Sequence, residues 1–179
     1  CRFGGNRVIS VNGGSKFIMD GGTISGCKAD EGGGLYADHS TVTIKGGTIS
    51  GCKARNNGGG LYVTNSSTNS STVNISGGTI SGCKGLLGGG LYANNSAIEI
   101  SGGTISGCTA VIGNGGGLYA DHSTITISDG TISGSTISGC TASAGGGLYA
   151  DKSTVTINNG TISECTAAMN EGGGLYATN

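Results

Sequence analysis

Hydrophobic and polar residues alternate in short blocks that recur in a fixed order along the chain. In the block STVTI at 40–44, Val42 and Ile44 fall on one side of an extended strand, and Thr41 and Thr43 on the other. The same slot holds SKFIM at 15–19, STVNI at 71–75, SAIEI at 96–100, STITI at 123–127 and STVTI at 153–157. Because these blocks are short, rich in Thr, Val and Ile, and bounded by Gly, the pattern predicts β-strands.

Two further blocks accompany each copy of the first one. GTIS recurs at 22–25, 47–50, 78–81, 103–106, 130–133 and 160–163, and GGGLY recurs at 32–36, 58–62, 88–92, 115–119, 145–149 and 172–176. Two longer intervals hold the polar insert around TNSSTNSS (64–71) and a doubled TISGSTISGC (131–140). Both insertions leave the remaining pattern in phase, as loops on a repeat protein do.

The alternation also predicts which side chains point into the interior. In the first block the inward pairs are Phe17/Met19, Val42/Ile44, Val73/Ile75, Ile98/Ile100, Ile125/Ile127 and Val155/Ile157. In the GTIS block the inward residues are Ile24, Ile49, Ile80, Ile105, Ile132 and Ile162, between outward Thr and Ser. In the GGGLY block we expect Leu35 and Ala37 to point inward and Tyr36 outward, with the same arrangement in the other five copies.

Three short strands in a coil of 25 residues cannot bury a core alone, whereas coils stacked at roughly 4.8 Å can. We therefore predict an all-β fold, a parallel β-helix (β-solenoid) of about six coils with three short strands each. The predicted single domain spans 1–179, with a degenerate partial coil at 1–14 and coils at 15–39, 40–70, 71–95, 96–122, 123–152 and 153–179.

Composition narrows the possible partners. The chain has 179 residues, of which 40 are Gly, and a formal net charge of −1. A protein with so little net charge has no strong electrostatic field that would attract nucleic acid. No apolar run approaches the roughly 20 residues that span a bilayer, so no membrane span is expected.

The phrases GGTISGC, GGGLYA and STVTI resemble the right-handed parallel β-helix repeats of bacterial and protist surface proteins, above all the polymorphic outer-membrane protein and adhesin-like group. The resemblance covers residues 15–179 and implies a right-handed coil and an extracellular or cell-surface location. In those repeats the position after GGTISG is usually Asn, whereas here it is Cys.

This position places one cysteine in each coil. The column contains Cys27, Cys52, Cys83, Cys108, Cys140 and Cys165. Neighbouring coils would bring their Cα atoms to about 5 Å, within the range of a disulfide. One interpretation is a stack of buried free thiols; the other is inter-coil disulfides, paired 27–52, 83–108 and 140–165, with Cys1 unpaired or intermolecular. The direction of the column, which we expect to be inward, depends on a bend at the preceding Gly.

Catalytic chemistry has little support in this pattern. Asp38, Asp121 and Asp151 share one slot, and the last two could form a carboxylate pair or share a cation, although turn residues are the simpler interpretation. His39 and His122 share a slot three coils apart, too far for one site. The glycine runs lack the context of a phosphate-binding loop. We expect no enzyme, no cofactor and no metal.

Three outward features are candidates for binding or modification. The tyrosine column suits sugar stacking or a lateral protein contact, or else stacks on itself; it comprises Tyr36, Tyr62, Tyr92, Tyr119, Tyr149 and Tyr176. The Thr/Ser column resembles the ice-binding faces of β-helical antifreeze proteins; it comprises Thr23/Ser25, Thr48/Ser50, Thr79/Ser81, Thr104/Ser106, Thr131/Ser133 and Thr161/Ser163. Glycosylation sequons occur at Asn65, Asn69, Asn74, Asn94 and Asn159, and the polar insert favours Asn65 and Asn69.

The ends GGGLYATN and CRFGGNRVISVNGG resemble open coils without caps. Open strand edges favour stacking by another copy, and a head-to-tail contact that does not close gives a filament. The leading hypothesis is a non-enzymatic extracellular β-solenoid that self-associates end to end into a filament, sheath or surface layer. The alternative is an adhesin-like module that binds glycans or proteins through the tyrosine column, followed by a polysaccharide-active enzyme or an ice-binding protein.

Overall fold

The chain winds as a stack of coils whose strands all pair in parallel. The computed structural model describes residues 9–66, 70–128, 136–138 and 141–179, which contain 23 β-strands and no helix. The strands form three sheets that run along the stack, with each strand paired to its counterparts in neighbouring coils.

Sheet A is built by the GGGLY blocks. Its strands, in spatial order, are β1 (Ile9–Asn12), β5 (Leu35–Asp38), β9 (Leu61–Thr64), β12 (Leu91–Asn94), β15 (Leu118–Asp121), β19 (Leu148–Asp151) and β23 (Leu175–Thr178). Like residues lie opposite each other, as where Leu91 pairs with Leu118 and Tyr92 with Tyr119.

Sheet B holds both of the other blocks. Its main path is β2 (Lys16–Met19), β6 (Thr41–Ile44), β10 (Ser71–Ser81), β13 (Ser96–Ser106), β16 (Thr124–Ile127) and β20 (Thr154–Ile157), extended by β3 (Thr23–Ser25), β7 (Thr48–Ser50), β17 (Thr136–Ser138) and β21 (Thr161–Ser163). In β10 and β13 the two blocks form one continuous strand of 11 residues, with a register irregularity at the intervening glycines.

Sheet C was not predicted from the sequence. It consists of β4 (Lys28–Ala29), β8 (Lys53–Ala54), β11 (Lys84–Gly85), β14 (Thr109–Ala110), β18 (Thr141–Ala144) and β22 (Thr166–Glu171), which follow the cysteine slots. Most of these strands have only two residues, too few for an alternating pattern to show in the sequence.

The interior consists of stacked aliphatic side chains. Val42, Ile49 and Leu61 are fully buried, as are their counterparts in the central coils. The predicted inward positions of the central coils are therefore confirmed, including Leu35 and Ala37 in sheet A, whereas Ile157 and Leu175 in the last coil are exposed. About six coils of parallel strands confirm the predicted β-solenoid.

The fifth coil corrects one detail of the prediction. The strand that continues the GTIS column there is β17 (Thr136–Ser138), which pairs with Thr104–Ser106 on one side and Thr161–Ser163 on the other. Ile137 is therefore the residue in register with Ile105, and Thr136 and Ser138 are in register with Thr104 and Ser106. The predictions for Thr131, Ile132 and Ser133 fall outside the described residues. Of the two TIS copies in 131–140, the second keeps the same spacing to the cysteine slot as in every other coil. Residues 129–135 lie outside the described residues.

The corner from sheet A to sheet B is built the same way in successive coils. His39, Asn95, His122 and Lys152 all adopt positive φ there, between 44° and 51°. The following serine is a structural element that the sequence did not reveal: Ser123 Oγ donates to Asp121 O (2.7 Å) and accepts from the N–H of Ser96 (3.1 Å) in the preceding coil. This serine ladder pairs backbone groups that the turn would otherwise leave unpaired.

The glycine runs allow sheet A to approach its neighbours closely. A Cβ added to Gly90 would lie 2.6 Å from Gly117 O and 2.8 Å from Ile105 Cγ2, and Cys108 Sγ is also within contact distance. The first glycine of each run has positive φ, such as 59° at Gly88, a conformation that glycine adopts without a steric penalty. The GGG motif is therefore a packing and turn element.

Candidate functional site

The tyrosine column forms a continuous ladder of stacked rings on the outer face of sheet A. From Tyr36 to Tyr176 the centroids of successive rings are 5.0 to 5.3 Å apart. The ring planes lie within 7° of parallel, except for 19° between Tyr149 and Tyr176. The predicted outward direction is confirmed, and five of the rings are half-buried, while Tyr92 is 9% exposed.

Burial makes three hydroxyl groups of the ladder harder to ionise. Burial, followed by the nearby carboxylates of Asp151 and Asp121, raises the pKa of Tyr119 to about 12. Burial and the neighbouring Tyr62 raise the pKa of Tyr92, and burial also raises that of Tyr149. At neutral pH Tyr92, Tyr119 and Tyr149 thus present neutral phenol groups, near the carboxylates of Asp121 and Asp151.

The cysteine column points into the core, as expected. Cys27, Cys52, Cys83 and Cys108 are fully buried and Cys165 is half-buried, whereas Cys1 and Cys140 lie outside the described residues. All five are free thiols in the structure. Each donates to the carbonyl oxygen of the serine two residues earlier, at 3.1 to 3.5 Å, for example from Cys27 to Ser25.

Sulfur atoms of neighbouring coils also interact with each other. Hydrogen bonding with Cys83, together with burial, raises the pKa of Cys52. Hydrogen bonds with Cys108 and then Cys52 lower the pKa of Cys83, against the effect of burial. The insert at 64–71 therefore does not separate Cys52 from Cys83. Disulfide formation, including the 27–52, 83–108 and 140–165 pairing, stays a prediction that depends on redox conditions.

The acidic and histidine residues of the repeat lie at the corner between sheets A and B. Asp121 accepts from Asn94 Nδ2 through Oδ2 at 2.6 Å, and its Oδ1 lies 2.5 Å from His122 Nδ1. Asp121 and Asp151 are register neighbours, as predicted. His39 and His122 lie on different coils, and His39 Nδ1 is 3.4 Å from Asn65 Oδ1. Within the described ranges, no group of three or more His, Cys, Asp or Glu could hold a metal ion.

The sequons differ in accessibility. Asn159 is exposed, while Asn74 and Asn94 are half-buried. Asn65 is only 7% exposed and contacts His39, so it is a poorer acceptor than its position in a polar insert suggested. Asn69 lies outside the described residues. Glycosylation stays a prediction, with Asn159 the most accessible of the described candidates.

The Thr/Ser column lies in sheet B as an ordered outward face. Thr23, Thr48 and Thr79 pair in register, and the column continues through Thr104, Thr136 and Thr161. In the part of the chain that the structure describes, we find no helix long and apolar enough to cross a membrane.

Three parallel sheets wound coil on coil around a core of aliphatic and thiol ladders define the class: this is a parallel β-solenoid protein. The family model described as the right-handed beta helix region matches residues 7–179. The chain therefore belongs to the right-handed β-helix family. Comparisons with curated proteins and with solved structures each found no match.

Proposed function

We propose that this protein is a non-enzymatic structural β-solenoid, located outside the cell or at its surface, that stacks end to end with further copies into a filament, sheath or surface layer. The observation that supports stacking is the register of like residues from coil to coil, as where Leu91 pairs with Leu118 and Tyr92 with Tyr119. A coil of a further copy could continue these ladders in the same register.

The isoleucine column follows the same rule, because Ile49 pairs with Ile80 and Ile80 pairs with Ile105. A strand at the edge of a parallel sheet presents unpaired N–H and C=O groups, and a further strand in the same register satisfies them.

Light scattering and electron microscopy of the purified chain over a range of concentrations test the stacking. We expect wild-type protein to form linear assemblies and the Ile157→Lys, Leu175→Lys variant to remain monomeric. In the chain tested, Ile157 and Leu175 are 41% and 36% exposed, and a copy stacked on them would bury the lysine ammonium groups. Thr126→Lys, with an outward side chain one coil earlier, is the matched control and should assemble. Monomeric wild-type protein at every concentration, or assembly of the double variant, would contradict the proposal.

The surface location rests on the resemblance to surface-protein repeats and on the exposed sequon at Asn159. Antibody labelling of intact cells of the source organism should detect the protein without permeabilisation.

The non-enzymatic role is supported by the hydrogen-bond contacts of the corner carboxylate Asp121 with Asn94 and His122. Release of reducing or unsaturated sugars from a polysaccharide panel by the purified protein would overturn it.

The second candidate function is protein binding through the tyrosine ladder, within the adhesin-like alternative. Sugars usually stack on the face of an aromatic ring, but here each inner ring has a neighbouring ring on both faces, with centroids within 5.3 Å. The ring edges and hydroxyl groups therefore remain for contact, and tyrosine is a residue type enriched at protein interfaces. Loss of a captured partner on Tyr62→Phe and Tyr119→Phe, with unchanged stability, would favour this role.

A further inference from the structure

The segment that joins sheet C to sheet A changes its chemistry from coil to coil. Between the cysteine slot and the glycine run, the first two coils read KADE (28–31) and KARNN (53–57), whereas the third reads KGLL (84–87) and the fourth reads TAVIGN (109–114). The third and fourth coils therefore carry four large apolar residues where the first two carry charged or amide side chains. They are Leu86, Leu87, Val111 and Ile112.

In the fourth coil two of these side chains project into solvent. Val111 is 59% and Ile112 is 73% exposed, although all three sheets continue on both sides of this coil. The Val111 N–H donates to Gly85 O of the third coil at 2.9 Å. A Cβ added to Gly113 would collide with Leu87 Cδ2, so the segment packs closely on the coil before it. The exposed pair and the half-buried Leu87 beside it form an apolar patch, a feature that marks interaction surfaces.

A row of lysines lies beside this patch, on the outer face of sheet C. Lys28 pairs in register with Lys53, and Lys53 with Lys84. Lys84 is in turn in register with Thr109, two residues before Val111. All three lysine side chains are exposed. Like charges on neighbouring strands repel each other, and this repulsion is relieved when anionic groups face the row.

The positive charge of this region is local. In the first four coils, the segments between the cysteine slot and the glycine run contain four basic and two acidic residues, a net charge of +2, while the whole chain carries −1. Arg55 binds Asp30 at 2.8 Å, so the lysines rather than the arginine supply the excess. One face of a nearly neutral protein can therefore attract an anionic surface at short range.

We propose that this basic–apolar face docks on the surface of an anionic phospholipid bilayer. The face consists of Lys28, Lys53, Lys84, Leu86, Val111 and Ile112. Val111 and Ile112 enter the boundary between headgroups and acyl chains, where apolar burial adds to electrostatic attraction. The lysine ammonium groups contact the anionic headgroups from the ends of flexible aliphatic stems. The solenoid lies on the bilayer and does not span it, and docking requires neither the tyrosine ladder nor end-to-end stacking.

A bilayer suits this face better than a folded partner does. A projecting side chain such as Ile112 needs a matching pocket in a folded protein, whereas the boundary region of a bilayer is fluid and adapts to it. Anionic lipids also diffuse within the bilayer, so they can gather beneath three lysines that lie one coil apart, about 4.8 Å.

The first test is co-sedimentation of the purified chain with phosphatidylcholine vesicles that contain or lack phosphatidylserine. We expect binding to the anionic vesicles, weaker binding at high salt, and little binding to phosphatidylcholine alone. Ile112→Ser should weaken binding by at least about tenfold, and Lys53→Gln and Lys84→Gln by about fivefold each. Ile18→Ser and Lys45→Gln are the matched controls, because both side chains are exposed and lie away from the face; both variants should bind like wild type.

A fluorescent probe tests whether Ile112 itself enters the bilayer. The chain contains no tryptophan, so Ile112→Trp introduces a single indole. Its emission should shift to shorter wavelength when anionic vesicles are added, because the indole leaves water. The emission of Ile18→Trp should stay unchanged.

Three results would overturn the proposal. The first is the absence of binding to anionic vesicles at low salt. The second is wild-type binding by Ile112→Ser with the solenoid folded, as judged by circular dichroism. The third is equal weakening by Lys53→Gln and Lys45→Gln, with binding to soluble polyphosphate unaffected by Ile112→Ser, which would assign the lysine row to a soluble polyanion. Light scattering measures stacking separately for each variant, so failure to stack leaves these results interpretable.

Discussion

The ring of Tyr92 stacks on the ring of Tyr119 with their centroids 5.2 Å apart and their planes 5° from parallel. Each inner ring of the ladder thus covers the face of the next. The rings are partly removed from water, and this removal changes their acidity more than any single charged neighbour does.

Ionisation of this ladder should destabilise the solenoid in alkali. The pKa of Tyr119 is raised to about 12 in the folded protein, above the value of about 10 expected in the unfolded chain. A raised folded-state pKa means that the contribution to stability is complete below about pH 10 and is lost as the pH rises through about 12. Denaturant unfolding at a series of alkaline pH values, with tyrosinate absorbance as a second probe, measures this.

Tyr119→Phe is the control for the alkaline prediction. Phenylalanine keeps the stacked ring but has no hydroxyl to ionise, so the decline of stability with pH should be shallower. A pH dependence as steep as that of wild type would show that the ladder does not cause it.

Removing the Ser123 hydroxyl from the serine ladder should lower the free energy of unfolding. Ser123→Ala removes the hydroxyl that accepts from the Ser96 N–H and donates to Asp121 O. Ser123 is only 5% exposed, so water cannot readily replace these hydrogen bonds. A buried group left unpaired costs about 1–3 kcal/mol. Chemical denaturation should show a loss of this size, whereas Ser25→Ala, on an exposed outward position, should change little. Equal effects of the two substitutions would refute the role of the ladder.

Replacing the third glycine of the GGG motif should overpack the interior and destabilise the fold. Gly90→Ala would bring a Cβ to 2.6 Å from Gly117 O, and strain of this kind costs about 1–3 kcal/mol or more. Gly21→Ala is the matched control, because no atom lies within 4 Å of its added Cβ and its φ is not positive. Thermal unfolding should show a lower midpoint for Gly90→Ala alone.

The cysteine stack predicts which disulfides can form on oxidation. Coils stack at about 4.8 Å, and a disulfide needs Cα atoms within about 7 Å. Oxidised protein should therefore link Cys52 only to Cys27 or Cys83, never to Cys108. Peptide mapping under non-reducing conditions measures the links, and a Cys52–Cys108 bond would contradict the stacked arrangement. In the reduced protein the four fully buried thiols should react with an alkylating reagent only after unfolding.

Much of the architecture could be predicted because hydrophobic and polar residues alternate in the same way in each repeat. Val42 and Ile44 face inward since each occupies every second position of an extended strand, and the same slot is apolar in each coil. Leu35 and Tyr36 could be assigned to opposite faces for the same reason. Sheet C was missed because a strand such as Lys28–Ala29 is too short to alternate.

The remaining features depend on contacts between coils. Of the two TIS copies, the second lies in register with Thr104–Ser106, and its spacing to the cysteine slot was the signal in the sequence that pointed to it. The burial of Asn65 goes with its contact to His39 of the preceding coil, for which a single repeat carries no signal.

The polar insert leaves the strands on both sides of it in place. Tyr62, just before it, pairs with Tyr92, and Thr72, just after it, pairs with Ala97. Lengthening such a loop costs only about 0.6 kcal/mol for each doubling. The corner after Thr64 is therefore a grafting position: a foreign peptide placed there would be displayed at a fixed height along a rigid rod, and several corners together would space such peptides at multiples of one coil.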